Sequence, residues 1–95
     1  MKELKVIVHN KVGLHARPAA LFVQTAAKFK SEIKVTCFDA VEQKERLANA
    51  KSILSVLTLG VFEGMEIVIR ANGEDEDAAA AALVELVEKN FGEAE

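Results

Sequence analysis

The chain holds a single proline, Pro18, and it stands at the head of a run of helix formers. Proline fixes its own φ and has no N–H, so a helix tolerates it in the first turn and not deeper. Residues 19 to 28 are rich in good helix formers, with Leu21, Phe22 and Ala26 at helical spacing. His15 and Arg17 therefore stand where a helix begins, beside backbone N–H groups and the positive end of its dipole. Such a terminus attracts anions, and an imidazole beside it can carry a phosphate. Gly13, just upstream, permits a turn that few other residues would.

Around this helix the apolar spacing sets out the rest of the chain. Leu4, Val6 and Val8 alternate with Lys5, Ile7 and His9, the pattern of a half-buried strand. His9 ends that strand outside any motif and reads as a structural or surface residue. Ile33, Val35 and Cys37 alternate with Lys34 and Thr36 in a second strand. Residues 38 to 45 read as a hairpin tip, and 46 to 49 as a short third strand at an edge. A short helix follows from Ser52 to Leu59, ended by Gly60. Met65 to Ala71 form a β-branched fourth strand, and Asn72-Gly73 turn the chain. Glu74, Asp75, Glu76 and Asp77 then load the start of a last helix with the charge its dipole favours. Ala79, Leu83, Leu86, Val87 and Phe91 give that helix one apolar face, with Lys89 and Gly92 at its end.

The order βαββαβα, with strands that alternate and helices that bury one stripe each, implies an α+β fold of two layers. Helices cover one face of an antiparallel sheet. Periodicity alone does not separate this from a ferredoxin-like fold, and a small-ligand-binding domain of that type would share most of the order.

Composition narrows the function classes. Ninety-five residues suit one domain spanning 1–95, and half of them are apolar, a globular composition. A lone cysteine, Cys37, excludes an internal disulfide and a multi-cysteine metal cluster, and reads as a small core residue. No apolar run is long enough for a membrane span, and no signal peptide opens the chain, so a cytoplasmic protein is expected. Residues 1–51 carry a charge of +5 and residues 52–95 carry −8. The basic half contains His15, which suits docking onto acidic protein partners. Nucleic-acid binding fits poorly, since the chain is net negative and lacks Tyr and Trp. Nothing calls for a metal or an organic cofactor, and a monomer is the default.

The run Gly13-Leu14-His15-Ala16-Arg17-Pro18-Ala19-Ala20 resembles the active-site signature of the HPr family, the histidine-containing phosphocarriers of the bacterial phosphoenolpyruvate-dependent phosphotransferase system. Asn49-Ala50-Lys51-Ser52-Ile53-Leu54, continuing through Val56 to Val61, is similar to that family's regulatory-serine segment. The likeness covers nearly the whole chain. It implies an open-faced sandwich with strand order 1-4-2-3 and three helices on one face. It also implies a carrier that is not itself an enzyme: His15 takes a phosphoryl group on Nδ1 from enzyme I and passes it to sugar-specific acceptor proteins.

The other residues take their expected roles from chemistry and resemblance together. Arg17 offers a planar fork for phosphate oxygens or a partner's carboxylates. Pro18 and Gly13 shape the site. Ser52 reads as the N-cap of its helix. By resemblance it also aligns with the serine that a dedicated HPr kinase modifies, where a phosphate would place about two negative charges on a surface meant for acidic partners. Ile53 and Leu54, with Lys51, Ala16 and Ala20, form the expected partner-binding patch, while Leu57 is expected in the core. The alternative is a regulatory module acting through the Ser52 helix on a catabolite-control transcription factor or a metabolic enzyme. Three departures from the family pattern stand out. The stretch from Ile33 to Ser52 is about six residues longer, which a longer hairpin tip, strand extensions or a bulge would each absorb. Ser55 stands where a glycine is expected, and Phe62 is larger than usual.

Overall fold

The computed structural model describes residues 1–92; residues 93–95, the end of the expected 1–95 domain, lie outside them. Strands β1 (Lys2–Ile7), β2 (Glu32–Asp39), β3 (Lys44–Asn49) and β4 (Glu66–Asn72) alternate with helices α1 (Ala16–Ala26), α2 (Ile53–Leu57) and α3 (Glu76–Glu88). The four strands form one antiparallel sheet in the order β1-β4-β2-β3, as expected. Register places Leu4 opposite Ile69, Val35 between Ile69 and Ala48, and Val6 and Cys37 on either side of Ile67. These residues face the helices. Phe22 and Ala26 of α1, Val56 of α2, and Leu83 and Val87 of α3 close the core over them.

Most element boundaries fall within a few residues of the sequence reading, and the differences have local causes. The extra length after Phe38 is not a loose tip. β2 and β3 run on to pair Asp39 with Lys44, leaving only residues 40–43 as the turn. One Asp39 oxygen accepts the N–H groups of Val41 and Glu42, and the other pairs with the Arg46 guanidinium at 2.7 Å. Thr36 points to the uncovered face of the sheet, yet it is fully buried, because Leu47 and Val68 flank it in register on both sides. After α3, Asn90 and Phe91 both take left-handed conformations, which turns the Phe91 ring back into the core.

A bridge between distant segments is made by Asp75, the N-cap of α3. Its carboxylate accepts the N–H of Lys30 at 2.8 Å, the N–H of Ser31 at 2.9 Å and the Ser31 hydroxyl. These bonds hold the α1–β2 connection against the start of α3. Hydrogen bonds from Ser31 and Lys30 stabilise the ionised carboxyl and lower its pKa to about 2.

Candidate functional site

After β1 the chain makes a tight turn that is closed twice. The Gly13 N–H donates to the Asn10 carbonyl at 3.1 Å, and the Asn10 side-chain amide donates back to the Gly13 carbonyl at 2.8 Å. Gly13 has φ +63°, and a Cβ at this position would collide with the Val61 carbonyl and the Phe62 backbone. Glycine is thus required on two counts, conformation and space. One residue later the Leu14 N–H donates to the Val61 carbonyl at 3.1 Å, and the Leu14 side chain is buried. The turn is therefore braced against the segment that joins α2 to β4.

His15 follows directly and is the N-cap of α1, with extended backbone. Its carbonyl accepts the first helical bond from Ala19 at 2.8 Å, while its imidazole makes no cap bond and is exposed. A cap residue normally spends its side chain on the helix amides. Here the ring is not used that way. The first turn of α1 carries no acidic residue, so the positive end of the helix is not offset by a carboxylate of its own. Arg17 and Ala16 are exposed beside His15, Pro18 is buried in the first turn, and Ala20 is half-buried. The arrangement is an exposed imidazole at a helix N-terminus with no acid in its first turn and a guanidinium two residues on. It can receive an anionic group from solution or from another protein. A groove of about 530 Å³ lies elsewhere, lined by Cys37, Phe38, Val41, Leu59, Phe62 and Met65. His15 is not part of it.

Ser52 caps α2, its hydroxyl accepting the Ser55 N–H at 3.3 Å. The helix is shorter than expected, five residues ending at Leu57. Val56 is its buried residue, and Ile53 and Leu54 are exposed. Leu57, expected in the core, is instead 38 % exposed. A helix of little more than one turn can bury only one narrow stripe, and Val56 occupies it. Lys51 is half-buried, and its ammonium donates to the Phe29 carbonyl just beyond α1 at 2.6 Å.

These contacts fix the directions of the two helices. Leu14, before α1, bonds to Val61, after α2; Lys51, before α2, bonds to Phe29, after α1. The helices are antiparallel neighbours, so Ser52 stands at the far end of α1 from His15. Along α1 that is about 16 Å at the usual helical rise. The Leu57 end of the α2 patch is nearer His15, and the Ser52 end is farther.

One residue that matters here is not marked by the sequence pattern. Asn10 closes the turn before His15, and the signal available was an Asn three residues before a Gly. Ser55, in place of the expected glycine, accepts the Asn49 N–H at 2.9 Å and ties α2 to the end of β3. Phe62 contributes backbone to the Gly13 contact and leaves its ring exposed. Cys37 is buried, as expected, and burial raises its pKa.

The family model for the PTS HPr component phosphorylation site matches residues 2–89. The phosphocarrier protein HPr of Xylella fastidiosa strain 9a5c is 45% identical over 93 residues, covering 98% of both chains. That of Mycoplasma genitalium is 40% identical over 90 residues, covering 95% of this chain and 97% of the relative. Among solved structures, HPr-C-His from Thermoanaerobacter tengcongensis is 49% identical, covers all of both chains and superimposes with a TM-score of 0.87.

Proposed function

Since the chain belongs to the HPr family of phosphotransferase-system phosphocarriers, we propose that His15 accepts a phosphoryl group from phospho-enzyme I and passes it to sugar-specific acceptor proteins. The observation that carries this reading is the exposed His15 ring, which makes no cap bond, at the N-terminus of a helix with no acid in its first turn. In the transfer, the lone pair of Nδ1 forms the N–P bond while the bond from phosphorus to the donor breaks, its electron pair leaving with the donor. The α1 terminus and the Arg17 fork favour the phosphoryl anion once it is bound. An open surface site, not a cleft, lets one protein surface meet first the donor and then the acceptor. The protein holds the intermediate and turns nothing over alone.

Ser52 supports a regulatory layer on the same carrier. A phosphate there would sit at the α2 N-terminus, where the helix dipole favours it, and leave the fold in place. It would also add negative charge to the face that acidic partners approach. The intact Gly13 to Ala20 run weighs against a purely regulatory protein, which could dispense with His15.

The test is incubation with phosphoenolpyruvate and the host's enzyme I, followed by assay for acid-labile phosphate on His15. Label on the wild type and none on His15→Ala supports the carrier. No label, with an enzyme I shown to be active, turns the reading to the regulatory alternative.

A further inference from the structure

We propose that Asn10 is a positioning residue for phosphoryl transfer, acting through the turn that delivers His15; the proposal rests on the carrier reading above. Asn10 is fully buried, at 0 % exposure, although it is polar and lies in a loop. Burying an amide is costly, and a hydrogen bond offsets part of that cost. Its amide nitrogen donates to the Gly13 carbonyl at 2.8 Å, across the same turn that the Gly13 N–H closes from the other side.

The consequence reaches His15 because the connection is short and has little slack. Gly13 is jammed against the Val61 and Phe62 backbone, Leu14 is pinned to Val61, and His15 is the next residue. His15 receives no side-chain bond to α1 that would hold it from the helix side. The His15 backbone is held downstream by the Ala19 N–H on its carbonyl, and the upstream half of its placement comes from the turn that Asn10 closes from inside. In-line transfer between two proteins needs the accepting nitrogen held in a narrow range of positions, and small misplacements cost rate. Affinity for enzyme I has no such dependence, because the Asn10 side chain is buried and offers no surface to another protein.

Asn10→Ala and Asn10→Asp test this. The second keeps the shape but sets an acceptor against the Gly13 carbonyl. Each is compared with wild type for its melting curve, its affinity for enzyme I and its rate of single-turnover phosphorylation at saturating enzyme I. The expected result is a folded Asn10→Ala with unchanged affinity and a transfer rate lower by roughly tenfold, and a larger loss for Asn10→Asp. His15 and Ala16 amide signals in NMR spectra should broaden in both, while those of α3 stay sharp. A wild-type transfer rate in the folded alanine variant overturns the proposal. So does loss of the fold in both variants, which would make Asn10 a fold determinant only. Wild type that takes no phosphate from an active enzyme I overturns instead the carrier reading on which this rests.

Discussion

His15 caps its helix with backbone alone and leaves the ring on the surface, so the fold does not depend on the imidazole. His15→Ala should abolish phosphate acceptance while shifting stability by no more than about 0.5 kcal/mol, as for other exposed sites. A melting curve beside the phosphorylation assay checks both halves. Arg17→Lys keeps the charge and loses the fork. Transfer should slow by roughly tenfold, the worth of one charge-assisted hydrogen bond. Gly13→Ala belongs to a different class, since the new methyl meets backbone that cannot rotate away. It should cost about 1–3 kcal/mol from the left-handed φ alone, and more from the collision, as chemical denaturation would show. His15, Arg17 and Pro18 are legible in the sequence because a proline and its neighbours define a helix start locally. Asn10 is not legible in the same way. Its importance comes from burial, and burial is settled by the folded chain rather than by its local sequence.

At the scale of elements, α2 shows both the strength and the limit of pattern reading. Ser52 is readable as an N-cap because the signal is local, and its hydroxyl does accept the Ser55 N–H. Ser52→Ala should therefore cost about 1 kcal/mol. Ser52→Asp keeps a capping oxygen and the fold, but it should weaken binding to enzyme I severalfold, with a difference that shrinks in added salt. Titration calorimetry at two ionic strengths reads this directly, and equal affinities would leave Ser52 with its capping role alone. Leu57 is harder to place. Apolar residues in a five-residue helix have no full stripe to count, and Leu57, expected in the core, is 38 % exposed. The extent of the β2–β3 hairpin is hidden for another reason. Its order comes from Asp39, which joins the turn amides to Arg46, and composition alone reads those residues as a polar tip.

Across the whole molecule, the Asp75 carboxylate joins distant parts of the chain, and no local motif announces it. The acidic run 74–77 reads from sequence as charge matched to a helix dipole. In space Asp75 reaches back to Lys30 and Ser31, at a sequence separation of 45 and 44 residues. Gly73 lies so close to Ser31 that a Cβ there would meet its side chain and backbone, which brings the two segments within reach. Because the folded carboxyl is depressed from its ordinary 3.8 to about 2, the unfolded chain binds more protons than the folded one between those values. The stabilisation is thus fully present above the unfolded value and is lost as pH falls through the folded one. Asp75→Asn keeps the shape and removes the charge. Its melting temperature should lie below that of wild type at pH 7, and the gap should close as pH is lowered from 3.8 toward about 2. Paired thermal melts across that range check the sign. A gap that stays constant with pH would mean that the clasp holds by shape and neutral hydrogen bonds, with the carboxylate charge contributing nothing to the joint between α3 and the end of α1.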